Sequence, residues 1–196
     1  MSRQNIPALS VAIAIDSRPS WSSGFGMSDL ENFVPAKAST VYRLGSISKP
    51  ITAVAAMQLV EKGKLDLDAP IQKYLPSFPQ KPWPITARQL LGHLSGIRHY
   101  AGLEEVNSTR HYDDRLTPPQ IFQNDPLLFE PGTKYSYSTY GYCLLGAAVE
   151  AAADFKFVEY LRRNVFEPAG MDRIGDRKST RLNSSHIQKS RMPSSA

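Results

Sequence analysis

Two apolar segments of helical length most constrain the fold of this chain. Residues 51–60 (ITAVAAMQLV) are apolar on nearly every side, which predicts a buried helix rather than a surface helix. Pro50 places the start of that helix just before it, because proline is tolerated only in the first helical turn, and Gly63 is a suitable end. Residues 140–153 predict a second apolar helix and residues 155–166 an amphipathic one.

The segments before the first helix have the composition of strands. Residues 9–15 (LSVAIAI) predict a buried strand, residues 16–19 a turn, and residues 21–27 (WSSGFGM) a second strand, together an antiparallel hairpin. Residues 1–15 also resemble a short signal peptide, but no small-residue cleavage site follows them and Asp16 comes at once. We therefore interpret them as part of the hairpin, and the compartment stays unknown.

The middle of the chain predicts one short helix and one long loop. Residues 86–94 predict a helix with Thr86 as its N-cap and Gly96 as its stop. Residues 99–125 are polar and weakly periodic, which predicts a long surface loop with some helix near residues 118–123.

The last segment of the chain differs in composition from the rest. Residues 176–196 (DRKSTRLNSSHIQKSRMPSSA) carry a net charge of +4 of the total +5, so residues 1–175 carry only +1. A basic nucleic-acid-binding arm or a plain disordered tail would fit this composition. The segment also resembles a translated short-read sequencing adapter, and we favour that interpretation. It predicts a disordered, non-native tail, a coding sequence that was read no further than about Gly175, and no nucleic-acid partner.

Composition excludes several other classes of protein. The single cysteine allows no intrachain disulfide and no cysteine-rich metal site, and no apolar run approaches the roughly 18–20 residues that span a bilayer. The four histidines lack the helical spacing of a zinc site; they are His93, His99, His111 and His186. No metal and no cofactor is predicted.

A Ser-x-x-Lys pair precedes the first apolar helix. Ser46 and Lys49 lie one turn apart on the same side, where Lys49 could accept the Ser46 proton and the backbone N–H of Ser46 could stabilise an oxyanion. About one such match is expected by chance in a chain of this length. A capping serine beside a solvated lysine is therefore the alternative interpretation of the pair by itself.

The context of the pair resembles a known family. Residues 6–15, 21–32, 42–53, 63–70, 90–96, 129–145 and 165–171 follow, in order, the pattern of the serine β-lactamase-related family, which includes class C β-lactamases, penicillin-binding DD-peptidases and related esterases. Residues 93–100 (HLSGIRHY) and 124–145 are most similar to the β-lactamase-like serine protease of animal mitochondria and its bacterial relatives. The resemblance implies an α+β fold, an antiparallel sheet with a helical domain, of which residues 1–175 would be a partial domain that is incomplete at its C-terminal side.

The resemblance also implies the site residues. Ser46 would be the nucleophile, and Lys49 and Tyr137 would move its proton. Tyr137-Ser138-Thr139 stands where the family has Tyr-x-Asn, so Thr139 would be a supporting residue that lacks the usual amide. The family's third motif, Lys-Thr-Gly or His-Thr-Gly, does not occur in the sequence.

These residues predict a serine hydrolase that works through an acyl-enzyme. The expected substrate is a small peptide or amide, then an ester, then a β-lactam, and we expect the 196-residue chain alone to be inactive. The alternative is a non-catalytic penicillin-recognising module, which Thr139 would suit. His93 and His99 are expected to be loop and packing residues, and Cys143 a core residue. The oligomeric state is not predicted.

Overall fold

A computed structural model describes residues 5–106 and 118–174 of the chain. The described residues form an α+β arrangement, a small antiparallel sheet plus helices, and they divide into two compact units, residues 5–44 and residues 45–174. The proposed tail at residues 176–196 and part of the predicted loop at 99–125 lie outside the described residues. The division into a partial domain, residues 1–175, and a tail stays a prediction.

The first unit is the sheet. Strands β1 (Ala8–Ile15), β2 (Arg18–Asp29) and β3 (Val34–Pro35) pair antiparallel in that order, so the predicted hairpin is present. Asp16 and Ser17 form its two-residue turn with φ of 48° and 61°, the left-handed pair that a type I′ turn needs. The pairing Ile13–Trp21 followed by Ala14–Pro19 leaves one extra residue on β2, a bulge that accommodates Pro19.

The expectation that β1 is a buried strand is wrong. Its last four side chains are exposed, and Ile15 is 60% accessible. Trp21 and Phe25 on β2 are also exposed, although their rings contact each other. Apolar composition predicted the strand correctly, but burial also needs a second layer of side chains against the sheet face.

The second unit is helical. Its helices are α1 (Ser48–Glu61), α2 (Ala87–Leu91), α3 (Leu103–Val106), α4 (Thr139–Ala153) and α5 (Phe157–Leu161). Short 3₁₀ turns occupy Gly45–Ile47, Ile71–Lys73 and Pro118–Ile121, and a π-helical turn continues α5 over Arg162–Phe166. None of the helices in the described ranges is long and apolar enough to cross a membrane.

The core of this unit lies where α4 packs against α1, α2 and α5. Leu144, Leu145 and Val149 of α4 are fully buried. Helix α1 buries only one face, which holds Lys49, Thr52, Ala55, Ala56 and Leu59. Val54 and Met57 on its other side are exposed, so the prediction of a buried rather than a surface helix holds for one face of α1 only.

Helix ends follow local chemistry more closely than hydrophobic periodicity. Thr86 caps α2 in a capping box with Gln89, as the N-cap prediction required. The helix then ends at Leu91 rather than near residue 94, because the chain turns at Gly92 and His93 adopts a left-handed φ of 57°. This early turn brings the His93 ring to the N-terminal end of α4.

Candidate active site

Ser46 lies in the 3₁₀ turn that leads directly into α1, and its side chain is exposed. Gly45 before it has a φ of +53°, in the left-handed region that glycine adopts without steric cost. The Ser48 hydroxyl donates to the Gly45 carbonyl at 2.7 Å and closes the turn. The backbone therefore presents the Ser46 hydroxyl to solvent at the start of a 14-residue helix.

Lys49 is one turn further along and is 7% exposed. Its Nζ donates to Ser46 Oγ at 3.2 Å and to Thr139 Oγ1 at 3.2 Å. The same Nζ lies 4.8 Å from the centre of the Tyr137 ring and 5.8 Å from that of Tyr142, so two aromatic faces help to accommodate the buried cation. This is not the solvated lysine of the alternative interpretation.

Tyr137 completes the group on Ser46. Its hydroxyl is 2.7 Å from Ser46 Oγ, across 91 positions of sequence. Burial is the largest single influence on the pKa of Tyr137, and it raises that pKa. Hydrogen bonds with Lys49 and Ser46 and the positive charge of Lys49 together outweigh it, so the pKa of Tyr137 lies below its ordinary value.

The segment that carries Tyr137 is fixed at the start of α4. Ser138 is the N-cap, and its Oγ accepts from the Gly141 N–H at 2.9 Å and donates to the Arg98 carbonyl at 2.8 Å. Thr139 is the first helical residue, which places its hydroxyl beside Lys49. The structure thus brings Ser46, Lys49, Tyr137 and Thr139 together, and their catalytic roles stay a prediction.

His93 and His99 contact this segment more directly than a loop and packing role requires. His93 Nδ1 accepts from the Ser138 N–H at 3.1 Å, and His99 Nδ1 accepts from the Thr139 N–H at 3.2 Å. Their ring centres lie 4.5 Å and 5.4 Å from that of Tyr137. The sequence predicted loop and packing roles for both histidines, because no spacing rule indicates that two imidazoles will contact one tyrosine.

Arg98 links the histidine segment to the rest of the unit. Its guanidinium forms ion pairs with Glu105 at 2.9 Å and Asp125 at 2.5 Å, and it also donates to the His99 carbonyl at 2.9 Å. The Arg98 hydrogen bonds lower the pKa of Glu105 to about 2. Arg98 also lies 5.0 Å from the Tyr140 ring centre, so this side chain connects residues 93–105 with α4.

The single cysteine and the possible metal ligands do not add to this site. Cys143 is on α4, six residues past Tyr137, and is partly buried. Within residues 5–106 and 118–174, no group of three or more histidine, cysteine or acidic side chains is arranged to hold a metal ion.

This geometry can perform acyl transfer. An exposed hydroxyl is within hydrogen-bond distance of a tyrosine with a lowered pKa and a buried lysine, the arrangement in which a serine can lose its proton as it attacks a carbonyl carbon. The backbone N–H of Ser46 lies in the 3₁₀ turn that leads into α1, close to the helix N-terminus that favours negative charge.

The chain is similar to proteins of known family. It matches the Beta-lactamase family over residues 1–179. The serine beta-lactamase-like protein LACTB, mitochondrial, of Bos taurus is 32% identical, with 80% of this chain and 41% of the bovine protein covered. Penicillin-binding protein 4* of Bacillus subtilis (strain 168) is also 32% identical, with 76% of this chain and 33% of that protein covered.

A solved structure gives the same relationship. The octameric penicillin-binding protein homologue from Pyrococcus abyssi superposes with a TM-score of 0.77 at 30% identity, over 88% of this chain and 41% of that chain. The chain spans about two fifths or less of the length of these relatives. With the family matched along nearly the whole chain, this protein belongs to the Beta-lactamase family of serine hydrolases.

Proposed function

We propose that this protein is a serine hydrolase in which Ser46 forms an acyl-enzyme and Lys49 and Tyr137 move its proton. The observation that supports this most directly is the pair of contacts on one oxygen, Tyr137 hydroxyl at 2.7 Å and Lys49 Nζ at 3.2 Å from Ser46 Oγ. A capping or structural serine has no need of both a buried cation and a phenol on the same hydroxyl.

The reaction would run in two steps. In the first, Ser46 Oγ bonds to the substrate carbonyl carbon, its proton passes to the Tyr137–Lys49 pair, and the pair returns a proton to the leaving group as the old bond breaks. In the second, a water molecule gives its proton to the pair and bonds to the acyl carbon, and Ser46 leaves with a proton. Tyr137 is the nearer of the two groups to Ser46 and would exchange the proton directly.

The favoured substrate is a small peptide or amide, ahead of an ester and then a β-lactam. Thr139 gives Lys49 a hydroxyl oxygen, but it has no side-chain amide to hold a substrate amide as the family's asparagine would. The similarity to a mitochondrial β-lactamase-like protein supports placing the β-lactam last, since that relative is named as like a β-lactamase rather than as one.

The test is covalent labelling of the protein expressed from its full gene with a fluorescent alkylphosphonate and, in parallel, a fluorescent β-lactam. The wild-type protein should label once, at Ser46, and Ser46→Ala should not label. Ser48→Ala is the matched control, because that hydroxyl lies in the same turn but donates to the Gly45 carbonyl. Equal labelling of Ser46→Ala and wild type would refute Ser46 as the nucleophile.

The second candidate is a penicillin-recognising module that binds without turnover, and the replacement of asparagine by Thr139 is the observation that favours it. Mass spectrometry separates the two candidates. An acyl-enzyme that disappears over minutes to hours, with release of the hydrolysed acid, identifies a hydrolase. An adduct that persists, or reversible binding with no adduct, identifies a module.

We also propose that the 196-residue chain by itself reacts poorly. Its sequence contains no Lys-Thr-Gly or His-Thr-Gly segment to contribute a second oxyanion donor beside the Ser46 N–H. Loss of one such donor typically costs roughly a hundred- to a thousandfold in rate. The labelling rate of this chain should therefore fall well below that of the full-gene protein, and equal rates would show the missing motif to be dispensable.

A further inference from the structure

The two residues that follow Tyr137 in the chain each donate a backbone N–H to a histidine. They are Ser138, the N-cap of α4, and Thr139, the first residue of that helix. The first N–H groups of a helix have no intrahelical partner and need one from elsewhere. Here His93 Nδ1 and His99 Nδ1 supply it at 3.1 Å and 3.2 Å.

We propose that His93 and His99 are positioning residues that, as neutral acceptors, hold the segment 137–139 so that the Tyr137 hydroxyl stays on Ser46. This inference rests on the proposed function, because it concerns how the proposed proton-transfer group is held. It assigns to the histidines a role through Tyr137 and none in contact with substrate.

The rings restrain Tyr137 as well as its backbone. The His93 ring lies 4.5 Å from the Tyr137 ring at an interplanar angle of 36°, and the His99 ring lies 5.4 Å away at 81°. One imidazole therefore covers a face of the phenol while the other meets it edge to face. A shift of the main chain at residues 137–139 would break the two hydrogen bonds, and rotation of the Tyr137 side chain away from Ser46 would break the two ring contacts.

An imidazole nitrogen accepts a hydrogen bond only while it carries no proton, so both histidines must be neutral at Nδ1. Burial lowers the pKa of each ring, and the positive charge of Lys49 lowers it further. The groups that face His93 are Lys49, His99, Tyr135, Tyr137 and Tyr142, and those that face His99 are Lys49, Glu105, Tyr100 and Tyr137. At His99 the Glu105 carboxylate opposes the lowering of the pKa, and Arg98 already pairs with that carboxylate. At His93 the backbone hydrogen bond with Ser138 opposes it, and burial and the neighbouring positive charge outweigh that bond.

Protonation of either ring would reverse the contact. A donor N–H would then face a donor N–H, and a new positive charge would lie near Lys49, so the segment 137–139 would move. The structure therefore predicts an acid limb in the labelling rate that comes from the histidines, and substitutions can separate this effect from a loss of Ser46 or Lys49.

His99 offers the sharper pair of variants. His99→Asn keeps an acceptor oxygen close to the Nδ1 position and cannot titrate, so its labelling rate at pH 7.5 should stay within about threefold of wild type, with a weaker acid limb. His99→Phe keeps a ring beside Tyr137 but leaves the Thr139 N–H without its acceptor. Its rate should fall about ten- to hundredfold at every pH. At His93 the comparison is His93→Asn, since asparagine tolerates the left-handed backbone found there.

The closing experiment needs a readout that does not depend on turnover. In the full-gene protein labelled with ¹³Cζ-tyrosine and ¹⁵N, the Tyr137 carbon shift and the Ser138 and Thr139 amide shifts are followed from pH 5 to pH 8. In wild type we expect the chemical shifts of both amides and of Tyr137 to change with pH as the histidines titrate. In His99→Asn the part of that change caused by His99 should disappear from the Thr139 amide and Tyr137 shifts. In His99→Phe the Tyr137 shift should differ from wild type at pH 7.5.

Failure of the inference and failure of the proposed function are distinguishable. The positioning role is overturned if the amide and Tyr137 chemical shifts do not change as the histidines titrate. It is also overturned if the Tyr137 shift is the same in His99→Phe and wild type, whatever the labelling rate. Labelling that survives Ser46→Ala refutes the proposed function, and the shifts then still decide whether the histidines position Tyr137.

Discussion

Tyr137→Phe removes one oxygen atom from the candidate site and leaves everything else that holds the residue. The phenyl ring would still contact both imidazoles, and the backbone hydrogen bonds of Ser138 and Thr139 do not involve the lost hydroxyl. The substitution therefore tests the 2.7 Å contact between Tyr137 and Ser46 with little other change.

The expected effects on rate and on stability differ in size. A positioned acid–base group contributes roughly 10²–10⁴ in rate, which corresponds to about 3–5 kcal/mol of activation free energy. The hydroxyl is partly solvated, since Tyr137 is 37% exposed. Its loss should therefore change the free energy of unfolding by only about 0.5–1.5 kcal/mol. A large fall in rate with a nearly unchanged urea midpoint is the predicted combination.

The assay is the second-order labelling rate with an alkylphosphonate, measured with urea denaturation on the same preparations. Tyr135→Phe is the matched control, because it also removes a tyrosine hydroxyl, two residues away. The Tyr135 ring contacts His93, and the residue is 68% exposed. This variant should label within about twofold of wild type, as expected for a surface change. If Tyr137→Phe labelled as fast as Tyr135→Phe, the proton-transfer role of Tyr137 would be refuted.

Three further predictions concern charge, pH and the core. Lys49→Ala should lower the labelling rate roughly a thousandfold or more, because the nucleophile and the Tyr137–Lys49 pair act as a unit, and near-normal labelling would mean that Lys49 has no part in the proton transfer. Because the pKa of His93 and of His99 is lowered in the folded protein, their contribution to the free energy of unfolding is complete above about pH 6.5 and is lost as the pH falls through the lowered values. Urea midpoints measured from pH 7.5 to 5 should show this loss, and the double variant with asparagine at both positions should reduce it; an unchanged slope would contradict the assignment. Leu145→Ala should lower the free energy of unfolding by about 2–5 kcal/mol, because Leu145 is fully buried. Leu128→Ala, at an exposed leucine, should change it by no more than about 0.5 kcal/mol. Similar urea midpoints for the two variants would show that α4 is not the centre of the core.

Much of the secondary structure could be predicted because its causes are local. Pro50 and Gly63 limited α1, Thr86 capped α2, and residues 140–153 were predicted as the helix that is observed one residue longer. Each of these signals acts within about one turn of chain, through steric exclusion or a short hydrogen bond. The family, too, could be recognised from short ordered segments, and the family match confirmed it.

Burial could not be predicted in the same way. The strand at residues 9–15 and the outer face of α1 are apolar but exposed in the structure, since a side chain is buried only where another element packs against it. Composition fixes how much apolar surface a chain has, but tertiary packing decides which part of it is covered.

The sequence by itself determined the residues of the candidate site and their order, but only the tertiary structure decided their contacts. Ser46 and Lys49 meet because they are three residues apart where a 3₁₀ turn runs into α1, a spacing that local helical geometry brings to one side. Tyr137 reaches Ser46 across 91 positions, and His93 and His99 reach the residues after Tyr137 across 45 and 40. Contacts at such separations depend on how α4, the turn before α1 and residues 93–99 pack together, and no local preference in the sequence specifies that packing.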